Sequence, residues 1–147
     1  MNAKRYLNLS LVYAILAMVG GVFYREFTKV LGYTARTTLG LVHTHYFMLG
    51  MVLFLLLAVV EKTFSFTTAK TGRVLAVYHV GLNLTAVMLV VRGIVQVMGI
   101  TLSAAAGGAV SGIAGLGHIL LGVGLCLCCC RSAAPPPGMT ADPLPAS

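Results

Sequence analysis

Read by polarity alone, the chain divides into four long apolar runs joined by short polar or charged connections. The runs are Leu7–Tyr24, Thr38–Val60, Val74–Met98 and Ala109–Cys130. Each is near the ~20 residues that a helix rising ~1.5 Å per residue needs to cross ~30 Å of hydrocarbon. Continuous apolar runs, rather than short alternating ones, predict helices and not barrel strands. The expected fold is an all-α integral membrane four-helix bundle over residues 1–131, followed by a disordered proline-rich tail, SAAPPPGMTADPLPAS.

Composition agrees. Of 147 residues, 59% are hydrophobic, with ten basic and three acidic side chains, and the mean hydropathy is +0.96. That is too apolar for an ordinary soluble domain. The net charge of +7 is scattered among the runs and not clustered on one face, which argues against nucleic acid. The first run follows Lys4 and Arg5 but has no small-x-small cleavage site before Tyr24, so it reads as a retained helix and not a signal peptide. Lys4, Arg5, Lys62, Lys70, Arg73 and Arg131 fall on one side of the bilayer, and Arg25, Lys29 and Arg36 on the other. The positive-inside rule then expects a plasma (inner) membrane protein with both termini cytoplasmic.

Cys126, Cys128, Cys129 and Cys130 crowd the end of the fourth run. They lack the separated pairs that metal sites use and read as reduced or lipidated residues at a membrane boundary.

The second run, LGLVHTHYFMLGMVLFLLLAVV, has no charge yet holds His43 and His45. Counting from the outer helix ends, His43 lies about 7 Å deep, His45 about 10 Å, Arg92 about 9 Å and His118 roughly 13 Å. Three helices thus bring these groups to one layer. At about 100° per residue, His43 and His45 point about 200° apart. Small residues accompany two of the imidazoles: Gly40 and Gly50 with His43, and Ser111, Ala114, Gly115 and Gly122 with His118. A small-residue face leaves a flat slot that suits a porphyrin, and two histidines from different helices are a common way to hold a membrane haem. The expectation is a haem b site with His43 and His118 as the axial pair and His45 in reserve. Arg92, Arg36 and Arg25 would serve the propionates, with Gln96 assisting. His79 falls in the opposite half and outside this layer.

Other readings use the same residues. Glycines, histidines and Asn83 also serve helix packing. His79, Asn83, Thr85, Arg92 and Gln96 could line a channel or small-solute transporter, although His79 and Asn83 face nearly opposite to Arg92 and Gln96. His45, Met48 and Met51 could handle copper. A structural subunit would need none of these chemistries.

YREFTK, TTLGLVHTHYFMLGM, Arg92-Gly93 and SGIAGLGHILLG resemble the domain-of-unknown-function 2871 family of small bacterial four-span membrane proteins, over most of residues 6 to 125. The His43-x-His45-Tyr46 pattern is similar to the helix of haem–copper oxidases and nitric oxide reductases that presents histidines to two haems on opposite faces. That resemblance implies an oxidoreductase component, bound haem and electron transfer or diatomic gas binding. Those catalytic subunits have about twelve helices in approximate threefold symmetry, which implies a homotrimer of this chain. The chain has no His-Pro-Glu motif and no adjacent histidine pair for copper.

Overall fold

The computed structural model describes residues 2–132. The tail expected beyond Ser132 lies outside the described residues. Four helices are long and apolar enough to cross a membrane: α1 (Ala3–Val30), α2 (Leu39–Phe64), α3 (Ala69–Val97) and α4 (Ala104–Ser132). The described residues are thus all-helical, and the protein is a multi-pass membrane protein, as the hydropathy pattern predicts.

Each helix outruns its apolar core, because helical hydrogen bonding continues where the side chains turn polar. Lys4, Arg5, Arg25 and Lys29 ride on the ends of α1. The ends are locally encoded. Asn2 accepts from the Arg5 N–H at 3.2 Å, and Thr68 and Thr71 form a reciprocal capping box at the start of α3. Gly32 (φ 60°) and Gly99 (φ 64°) close α1 and α3 in the left-handed conformation that glycine adopts without steric cost.

Helix α2 is not uniform. Residues Tyr46–Val52 form a π-helical stretch, and side chains from neighbouring helices take up carbonyls along it. Tyr78 donates to Leu49 O at 2.5 Å and Ser10 to Met51 O at 2.8 Å. Gly50 lets the Tyr13 ring sit directly on this stretch, since a Cβ there would lie 2.6 Å from Tyr13 Cγ. Such π insertions recur at functional sites.

The largest buried cluster, including Tyr6, Tyr13, Phe54, Leu75, Tyr78 and Leu82, fills the half of the bundle nearer the chain ends. In the other half, towards the 31–38 and 98–103 connections, α1 and α2 close through Gly20, Gly21 and Gly40, and α2 meets α3 where Leu39 seats on Gly93. Helix α4 packs along α3 and only slightly touches the others. The α3–α4 seam is set by Gly81 beneath Leu121, Gly117 against Thr85 and Gly124 against Tyr78. Helices α2 and α4 make no extended contact with each other.

Candidate functional site

Two histidines meet between α2 and α4, and the pair differs from the expected one. His45 of α2 and His118 of α4 have ring centroids 6.1 Å apart and planes at 89°. His43 turns the other way, over Gly21 of α1, and its Nδ1 is buried without a hydrogen-bond partner. The angular separation of His43 and His45 explains the exchange, since one faces α1 and the other α4. The small residues around His43 hold no slot either. Gly40 receives the Tyr24 ring, and Gly50 receives Tyr13.

The slot lies on α4. A Cβ at Gly115 or Gly122, each about one turn from His118, would meet nothing within 4 Å, and the same holds at Gly108 and Gly112. His118 itself is exposed in the isolated chain.

Both paired imidazoles have a fixed tautomer. His45 Nδ1 lies 2.8 Å from Leu41 O, and His118 Nδ1 lies 2.9 Å from Ala114 O. A carbonyl only accepts, so each Nδ1 donates and each Nε2 keeps a lone pair. No hydrogen bond joins the rings. Two acceptor nitrogens held this way have the tautomer that metal ligation requires, with the backbone carbonyl fixing ring orientation from behind.

Among the described residues, no group of three or more His, Cys, Asp or Glu gathers around a metal position. A lone ion needing three or four protein ligands therefore does not fit. A macrocycle that supplies four of its own and needs only two axial imidazoles does fit the pair.

Two clefts in the same half of the bundle each carry an arginine. Arg92, Val95, Gln96, Gly107 and Ser111 line a cleft of about 290 Å³ between α3 and α4. Tyr24, Arg36, Gly40, Leu41 and Gln96 line a second, of about 500 Å³, over the start of α2. Gln96 borders both. Its Oε1 accepts from the Thr38 N–H at 2.9 Å, which ties the end of α3 to the start of α2. The capping bonds engage the Gln96 oxygen, whereas the group that would donate to a propionate is its Nε2 amide. Among the described residues, the ion pair seen joins Arg25 to Glu26 at 3.8 Å, which leaves Arg36 and Arg92 without a carboxylate and commits Arg25 elsewhere.

His79 stands apart from this pair, at the centre of a network that the residue pattern did not predict. Tyr46 donates to Asn83 Oδ1 at 3.1 Å, and Asn83 Nδ2 donates to Tyr13 Oη at 3.1 Å and to His79 O at 2.8 Å. Tyr13 Oη lies 2.5 Å from His79 Nδ1, and the His79 ring stacks on Phe54 at 4.9 Å and 7°. The available sequence signal was the spacing of Tyr6, Ser10 and Tyr13, which puts hydroxyls on one face of α1. The polar residues of α3 do not form one path, because His79 and Asn83 join this network while Gln96 caps α2. Met48, proposed with His45 for copper, is exposed.

Comparison with known proteins agrees with the resemblance on family alone. The chain belongs to the family described as protein of unknown function (DUF2871), which matches it over residues 3–133. No curated protein and no solved structure matches it.

Proposed function

We propose that this protein is a small membrane haem-binding protein of cytochrome b type that transfers electrons, with His45 and His118 as the axial ligands. The observation that carries this reading is the ring spacing. An imidazole nitrogen lies about 2.0 Å from a bound metal and about 1.1 Å from its ring centroid, so two axial rings on one iron stand about 6.2 Å apart. The observed 6.1 Å agrees, with both tautomers suited to ligation. Perpendicular planes are compatible because each ligand turns about its metal–nitrogen bond.

Gly115 and Gly122 give a flat macrocycle its cradle, and the two unpaired arginines suit its two carboxylates. Ser111, at the Arg92 cleft, is about 10.5 Å along α4 from His118, which is the reach a propionate requires. When bound, the group supplies one-electron redox chemistry; the chain supplies orientation, charge balance and exclusion of water. With both axial positions taken by histidine, electron transfer is favoured over diatomic gas binding, which needs a free position. The basic residues orient both chain ends to the cytoplasm in the plasma membrane. A thiol reagent unable to cross membranes would then label exposed Cys126 in inverted vesicles and not in intact cells. The opposite labelling refutes that topology.

The test of the cofactor is an absorption spectrum in mild detergent from haem-replete cells, oxidised and then dithionite-reduced. A Soret band with sharp reduced α and β bands is expected, lost in His45→Ala and in His118→Ala and kept in His43→Ala. A colourless protein with no pyridine haemochrome refutes haem binding. Loss in His43→Ala with retention in His45→Ala restores the pair expected from helix depth.

A further inference from the structure

We infer that His79 is a proton-binding site whose occupancy is linked to the electron held between His45 and His118, so that electron transfer through this protein carries a proton with it. The inference rests on the haem reading above.

It begins from the direction of the hydrogen bonds. Both Asn83 amide hydrogens are spoken for, by Tyr13 Oη and by His79 O. Tyr13 therefore has its own hydrogen free to donate, and it gives it to His79 Nδ1 across 2.5 Å. The chain Tyr46–Asn83–Tyr13–His79 is polarised in one sense and ends on a base. A network that served only to pin helices together would work equally well ending on a carbonyl or an amide.

The groups facing His79 are few. Helix α1 presents Tyr13. Helix α2 presents Phe54 and, through Asn83, Tyr46. Helix α3 presents Asn83, and α4 contributes no hydrogen bond. Among the described residues, no acid or cation is bonded to the ring, so an arriving proton meets no fixed counter-charge. An electron nearby is then the natural compensation.

The network is placed to sense it. Tyr46 directly follows His45 in the chain, and its phenol is the first member. For a separation of about 12 Å and an effective dielectric of about 20, one electron changes the proton affinity of an imidazole about tenfold.

One electron enters the oxidised site from a one-electron donor in the membrane. One proton enters from the aqueous phase beside the chain ends, where Tyr6 meets Thr67 at 2.9 Å and Thr67 donates to Glu61 at 2.7 Å. It reaches Tyr13, whose hydroxyl is the one bonded to His79. As it binds Tyr13 Oη, the phenol's own proton moves to His79 Nδ1. Tyr13 ends neutral and His79 cationic. Reoxidation returns both charges.

The experiment is a spectroelectrochemical titration of the haem-loaded protein between about pH 5 and pH 9. As pH rises through the titration of His79, the midpoint potential should fall by about 59 mV in all, the equivalent of tenfold coupling for one electron. His79→Gln keeps an acceptor for Tyr13 but cannot hold the proton, so its profile should be flat in that region. If that variant does not fold, Tyr13→Phe removes the donor that stabilises neutral His79, and the step should move to higher pH. A coloured wild-type protein with a flat profile overturns this inference alone, as does a step unchanged in both variants. A colourless protein overturns it together with the cofactor reading.

Discussion

Helix α4 carries glycines on two faces, and the two sets should respond oppositely to substitution. Gly115 and Gly124 are nine residues apart, which at about 100° per residue puts them about 180° apart. At Gly124 a Cβ would lie 2.9 Å from Tyr78 Cα. The obstacle is backbone, so no rotamer change relieves it, and α4 must shift from the only helix that holds it firmly. Overpacking of this kind costs about 1–3 kcal/mol. At Gly115 nothing lies within 4 Å, and replacing glycine by alanine in a helix gains up to about 1 kcal/mol. The helix gain is common to both substitutions, so the two alanine variants should differ in stability by about 1–3 kcal/mol, in favour of Gly115→Ala, when unfolding is followed by circular dichroism in mixed micelles of increasing denaturing detergent. Gly115→Leu adds the second half of the test. It should fold as well as wild type yet lose most of its haem, because its side chain fills the space beside His118. Equal stability of the two alanine variants would refute the assigned packing face. Full pigment in Gly115→Leu would refute the slot.

Arg36→Gln and Arg92→Gln should each weaken haem binding about tenfold or more in a haemin titration, the worth of one charge-assisted hydrogen bond, while lysine at either position retains most of the affinity. Unchanged affinity in both would mean that the cofactor carboxylates do not reach the rim. Asn83→Ala leaves both phenols of the central network without their amide partner and should destabilise the fold by about 0.6–2 kcal/mol, read as the detergent midpoint. No change there would mean that the network is not intact in the membrane. The trimer implied by the histidine pattern should give a particle of three chains by light scattering with detergent correction; a monomer sinks it.

Much of the architecture was written in the hydropathy. Residue counts located all four spans, because lipid imposes the same length on every crossing helix and no loop interrupts the apolar runs. What the pattern missed were the helix ends, where charged residues such as Arg25 and Lys29 stay helical beyond the apolar stretch. That His45 and His118 lie at one depth was legible as well, since depth follows from counting. Which histidines meet was not. That depends on the side on which α1 and α4 pack against α2, and the glycines beside His43 and His118 look alike as letters. Tyrosines from α1 fill one set and leave the other open, a difference that only the packing reveals. The place of His79 was hidden for the same reason, because its partners come from positions 13, 46 and 83, far apart in the chain.

An open slot beside a histidine would be unstable in water, where burying apolar surface drives helices to close on any groove. In a bilayer that force vanishes between helices, and closeness is decided by whether small residues on one helix find a matching surface on another. Helix α4 meets this condition along one face, through Gly117 and Gly124, with Gly81 of α3 completing the seam. Along the other, Gly108, Gly112 and Gly115 find no partner within the chain. The fold can therefore hold His118 at a fixed distance from His45 while keeping the space beside it open. A side chain that closed that space would gain little packing in lipid and would remove the access that two acceptor nitrogens need. On this argument the glycines of α4 have two separate tasks. Exchanging leucine and glycine between positions 115 and 116, which moves the slot around the helix without changing composition, should remove the pigment and leave the stability of the bundle within about 1 kcal/mol of wild type.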